Sequence, residues 1–116
     1  IIQRDKLVEK AASTGAYLAD KLKTFKDHPL VGDVRCLGLA GSLDFLRRSD
    51  SDAPLNDDAD EIMSAVYDAV LERGVIVRPA GRSIVIAPPL ITTLEEVDVI
   101  CERVGLALDD VLASRP

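Results

Sequence analysis

The residues best placed to do chemistry gather in one stretch, Val75-Ile76-Val77-Arg78-Pro79-Ala80-Gly81-Arg82-Ser83-Ile84-Val85-Ile86-Ala87-Pro88-Pro89-Leu90, two short aliphatic runs around a turn. Arg78 ends the first run and is followed by a proline, whose ring fixes its own φ and restrains the residue before it. A guanidinium presented in this way suits bidentate pairing with a carboxylate or another oxyanion. Arg82, in the turn, could take the same role, although turn arginines ordinarily meet only water. The competing reading of Arg78 is a surface or interdomain salt bridge, which contributes little.

The remaining inventory is sparse. His28 is the only histidine, and it precedes Pro29 in a helix-ending turn where a structural role is expected. No Ser-His-Asp set, phosphate-binding glycine loop or second histidine for a metal is present. Cys36 and Cys101 form no Cys-x-x-Cys pair and read as reduced core thiols of a cytoplasmic protein. Asp50, Asp52, Asp58 and Glu61 fall at calcium-loop offsets, but Pro54 takes a ligand's place and Leu55 that of the sharp-turn glycine. A solvated loop feeding acidic residues to a helix N-terminus explains them better. All five lysines, Lys6, Lys10, Lys21, Lys23 and Lys26, fall on one predicted helix as a solvated face, and none reads as a buried amine for imine chemistry.

Composition narrows the function classes. A chain of 116 residues is a single domain, and with 47% hydrophobic but only 3% aromatic residues its core must be aliphatic, without stacking platforms for bases. The formal net charge of −6 opposes binding to a phosphate backbone. No apolar run approaches the roughly 20 residues of a membrane span, and no signal-peptide pattern opens the chain. The chain begins Ile1-Ile2-Gln3-Arg4 and its only methionine is Met63, so a piece of a longer protein is expected.

Three amphipathic helices must position these residues. Leu7, Ala11, Thr14, Leu18, Leu22 and Phe25 recur at helical spacing from Asp5 to about Lys26. Ile62, Val66, Ala69 and Val70 mark a second helix, with Asn56 or Asp57 as its cap and Gly74 as its stop. The third opens at Thr92-Thr93-Leu94-Glu95-Glu96 with capping-box spacing, and Val97, Ile100, Cys101, Val104, Leu108 and Val111 form its apolar stripe. Between the first two helices the pattern alternates from Val31 to Phe45. Leu37, Leu39, Gly41, Leu43 and Phe45 are expected on one face, and Gly38, Ala40, Ser42 and Asp44 on a nearly bare one. The whole predicts an α+β two-layer sandwich, a small three- to four-stranded mainly antiparallel sheet with helices on one face, whose bare face wants a partner.

Four segments then carry a resemblance in order: Asp27-His28-Pro29-Leu30-Val31-Gly32-Asp33-Val34-Arg35-Cys36-Leu37-Gly38-Leu39, Leu71-Glu72-Arg73-Gly74-Val75-Ile76-Val77-Arg78-Pro79, Ile84-Val85-Ile86-Ala87-Pro88-Pro89-Leu90-Ile91-Thr92 and Leu106-Ala107-Leu108-Asp109-Asp110-Val111. Together they resemble the C-terminal small domain of class III pyridoxal-phosphate-dependent aminotransferases, the omega-transaminase group. The resemblance implies that residues 1–116 are one domain of a longer transaminase of fold type I. The large domain of that family holds pyridoxal phosphate, the Schiff-base lysine, the pyridinium-nitrogen aspartate and the phosphate contacts. This chain alone would then bind no cofactor and would not transaminate; no catalytic, cofactor or metal residue is expected within it.

The partners so implied are the missing large domain, a second subunit completing a homodimer, and a small-molecule amino donor and keto acid. Arg78 matches the arginine that many members swing toward the substrate carboxylate, with Arg82 as the second candidate. Arg35 and Asp44 match charged positions of the first two strands, where structural pairing is expected. Cys36 departs from the family, which often has glycine there. A non-enzymatic alternative is a free-standing regulatory module that binds an amino acid, or a protein partner through the bare sheet face.

Overall fold

The computed structural model describes residues 4–51, 53–88 and 92–115, with residues 4–8 described as backbone only. The first helix, α1 (Arg4–Lys23), tightens into a 3-10 turn at Thr24–Asp27. It stops where Pro29 forces His28 into extended backbone, at φ −68° and ψ 136°. Strands β1 (Asp33–Leu37) and β2 (Ala40–Asp44) follow, then α2 (Ala59–Glu72), β3 (Arg78–Ala80), β4 (Ser83–Ile86) and α3 (Leu94–Ser114). The four strands form one sheet in the order β1-β2-β4-β3, antiparallel throughout.

One face of the sheet is covered and the other is open. Gly41, Leu43, Ile84 and Ile86 turn inward and are buried, while Ala40, Ser42, Asp44, Ser83 and Val85 alternate outward. The core beneath is aliphatic: Leu18 and Leu22 of α1, Val66 and Val70 of α2, and Val97, Val104 and Leu108 of α3 are almost wholly excluded from solvent. Each such side chain contributes about 1.5–3 kcal/mol by leaving water. Backbone contact tightens the α1–sheet seam. A Cβ on Gly15 would lie 2.4 Å from the Gly38 carbonyl oxygen, so the helix rests directly on the β1–β2 turn.

Local signals end the helices as expected at two places. Thr93 and Glu96 form a reciprocal capping box on α3. Gly74, at φ +81°, closes α2 with its N–H on the Leu71 carbonyl and that of Val75 on Val70, a Schellman arrangement. Arg103 of α3 reinforces this end by donating from Nη1 to the Arg73 carbonyl at 3.1 Å.

Three expectations need correction. Leu37 is not inward; it is 87% exposed, because Gly38 at φ +58° reverses the chain and resets the alternation, placing Leu37 opposite Ala40 on the open side. Gly38 therefore belongs to a turn and not to the sheet face. Neither Asn56 nor Asp57 caps α2, whose N-cap is Asp58. Asn56 instead accepts from Arg47 N and donates to the Phe45 carbonyl and to Asp58, pinning the base of the 47–55 loop, which brings Asp58 below the usual carboxylate range.

Cys101 is a core thiol, whereas Cys36 is only half-buried beside the core. Burial pushes the Cys101 thiol up to about 11. The folded chain thus holds this proton to higher pH than the unfolded chain does. The stability so contributed is complete below the unfolded thiol's value and is lost as pH rises from there through about 11. Alkylation at neutral pH should accordingly modify Cys36 first and reach Cys101 only at the rate of unfolding. Equal labelling of both thiols in the folded chain would contradict this packing.

Candidate functional site

The site is built on the β3–β4 hairpin. Val75 and Val77 are buried; Ile76, 88% exposed, borders Val99 and Ile100 of α3, and Arg78 enters β3 exposed. Pro79 sits on an edge strand, where its missing N–H costs no ladder bond. Gly81, at φ +62°, turns the chain, and β4 returns with Val85 opposite Arg78. Register carries this line across the sheet: Arg78 faces Val85, Val85 faces Ser42, and Ser42 faces Arg35. Arg78 thus stands on the open face, at the end of a row that crosses all four strands.

Among the described groups no acid pairs with Arg78, although most arginines nearby are engaged. Arg82 lies in the hairpin turn, 3.6 Å from Asp60, and its carbonyl accepts from Phe45 N. Arg73 pairs with Asp110 and Arg115 with Asp58. The sequence-predicted pair therefore separates: Arg78 is exposed and available, while Arg82 is tied to the start of α2. Arg35 and Asp44 are each engaged structurally, as expected, though not with one another. Arg35 Nε instead donates to Asp33 at 3.3 Å, and Asp44 Oδ1 accepts from Leu46 N in a local turn. Asp33 gave no sequence signal for this role beyond lying two residues away.

His28 is structural. Its Nδ1 accepts from Leu30 N at 3.2 Å, so Nε2 carries the hydrogen that Asp109 accepts at 3.1 Å, joining the 3-10 turn to α3. Among the described residues no cluster of His, Cys, Asp and Glu could hold a metal ion. No described helix is long and apolar enough to cross a membrane.

The described lysines do not fit an imine-forming position. Lys10, Lys23 and Lys26 are exposed. Lys21 lies 3.4 Å from Asp98, whose hydrogen bond and charge raise its pKa and hold it as an ammonium, the wrong state for attack on an aldehyde. The positive-φ glycines Gly38, Gly74 and Gly81 occur singly in turns and build no phosphate cradle. The available chemistry is anion binding on the open face.

An α+β layer whose open face presents a guanidinium with no acid partner among the described residues is the class of domain these residues define. Residues 1–108 match the class-III aminotransferase family, and the chain belongs to it. It is 42% identical to a diaminobutyrate-2-oxoglutarate transaminase of Halomonas elongata, over 96% of this chain and 24% of that protein. An isoleucine 2-epimerase of Lentilactobacillus buchneri is 33% identical over 84% of this chain and 21% of its own length. Among solved structures, a transaminase with L-alanine superimposes with a TM-score of 0.84 at 32% identity, covering 95% of this chain and 26% of the other. The chain spans about a quarter of the length of these relatives.

Proposed function

We propose that residues 1–116 form the small domain of a longer, cytoplasmic pyridoxal-phosphate-dependent transaminase, and that their part in the reaction is to orient a substrate carboxylate through Arg78. The parent would move an amino group between an amine or amino acid and a keto acid. The observation carrying this reading is Arg78 itself: exposed, anchored by Pro79, and without an acid among the described groups. Two parallel N–H···O bonds to a carboxylate would fix the carbon next to it and remove most of its rotational freedom. Pyridoxal phosphate, when bound, supplies the electron sink for the amino group. In this reading its attachment belongs to the large domain of the parent, since the described lysines are exposed or held as ammonium ions.

The open face completes the proposal. A flat surface leaves a bound carboxylate in water, so the site needs a second wall, which we assign to the large domain of the parent within a homodimer. Leu37, nearly fully exposed on that side, should then be protected from hydroxyl-radical footprinting in the full-length protein and labelled in the isolated chain. Equal labelling in both would remove the support for this wall. A free-standing regulatory module has no observation in its favour.

The proposal is tested by borohydride reduction in the presence of pyridoxal phosphate. Stoichiometric cofactor should be retained by the full-length protein and not by the 116-residue chain. Stable reduction onto any of its five lysines would overturn the assignment. The same carboxylate grip would serve epimerisation, the activity named for one relative. Omitting the keto acid separates the two, since only an epimerase turns over without it.

A further inference from the structure

Besides its core-facing stripe, α3 carries a second line of residues on its outer side. Glu95, Val99, Glu102 and Leu106 recur every third or fourth position, so acidic and aliphatic groups alternate along one helix face. Val99 and Leu106 are 43% and 42% exposed, and Ile76 stands beside Val99 in a groove of about 440 Å³ that reaches Ile86 and Pro88. A second groove shares Gly74, Val99 and Arg103 with the first and runs on to Leu106. Single exposed aliphatics are ordinary on a surface, whereas three along one continuous groove mark a contact.

The rim of this groove is acidic. Glu72 at the end of α2, Glu95 and Glu102 are exposed and meet no base among the described groups. The two arginines nearby are engaged within the domain, Arg73 with Asp110 and Arg103 with the Arg73 carbonyl. A second copy laid on α3 would set its glutamates against either glutamates or aliphatics, which means repulsion in one case and unpaired burial in the other. An anionic lipid surface or nucleic acid would meet the same repulsion. The complementary cover is aliphatic with basic flanks. This chain is about a quarter of the length of its relatives, so the longer protein has ample sequence to supply such cover, tethered and therefore at high effective concentration.

We propose that this groove is the docking site of an amphipathic helix of the parent protein from outside residues 1–116, with aliphatic side chains on Ile76, Val99 and Leu106 and lysine or arginine opposite Glu95 and Glu102. Recognition is helix against helix: apolar side chains three and four residues apart on the incoming segment match the repeat on α3. This rests on the reading of the chain as one domain of a longer transaminase. It uses a surface separate from the open face, on the helical side of the domain.

The test is hydroxyl-radical footprinting of the full-length protein beside the 116-residue chain. Labelling of Ile76, Val99 and Leu106 should be several-fold lower in the full-length protein. The double substitution Glu95→Lys with Glu102→Lys should return these three to the labelling seen in the isolated chain, while Leu37 stays protected and reports an intact fold. Equal labelling of the three in both forms overturns the docking site; protection of Leu37 in that same experiment leaves the transaminase reading standing. Protection that survives the charge reversals overturns the basic helix. Protection that appears in the isolated chain as its concentration rises gives the groove to a second copy and overturns the proposal. Labelling of Leu37 together with the other three in the full-length protein counts against both readings.

Discussion

In the full-length enzyme, Arg78→Ala lowers kcat/KM for a keto-acid acceptor by about 2–4 kcal/mol of transition-state binding, and leaves single-turnover reaction with a carboxylate-free amine within a few fold of wild type. The split follows from what a guanidinium can grip. A simple amine presents no anion, so the lost side chain withdraws nothing from its reaction. Arg78 also has no acid to release among the described groups, so its removal leaves no orphaned charge on the folded domain. Steady-state kinetics with the acceptor and stopped-flow kinetics with the amine check both halves. Equal losses would mark Arg78 as a structural residue, and no loss in either would transfer the role to Arg82 or to the large domain.

Gly15→Ala destabilises the chain by about 3 kcal/mol or more, against the usual rule that alanine improves a helix interior by up to about 1 kcal/mol. The new methyl would meet the Gly38 carbonyl oxygen at 2.4 Å and its carbon at 2.8 Å, and backbone at that distance cannot rotate aside. Gly105 in α3 supplies the contrast. There a Cβ meets the Phe25 ring edge at 3.2 Å, a side chain able to move, so Gly105→Ala should cost less than 1 kcal/mol or stabilise slightly. Urea denaturation of the two variants decides the matter. Similar behaviour of both would mean that α1 does not rest on the β1–β2 turn as described.

Sequence carries what short-range chemistry decides. The Thr93–Glu96 box, the Gly74 stop and the inward stripes of α2 and α3 are each written within a few residues, and the structure has them all. Leu37 is misread because a period-2 pattern holds only while the strand runs on; one residue at φ +58° resets its phase. Asn56 is misread because its amide is drawn to the Phe45 carbonyl eleven residues back, a partner no local rule names. Arg78 is legible as a strand-end arginine before proline. That Arg82 is held by Asp60 and Arg78 by no described acid depends on where α2 packs, which spacing along the chain does not encode.

The edges of the sheet bear on how anything can approach it. β3 has three residues, one of them a proline that cannot donate, and β1 at the opposite margin sets Asp33 and Arg35 beside its free groups. Both margins are therefore poor templates for an added strand, which guards a lone copy against edge-to-edge aggregation. Contacts with this layer are consequently left to side chains on its open face, where Arg78 sits. A single substitution such as Pro79→Val would restore the missing N–H and turn a protected margin into an adhesive one.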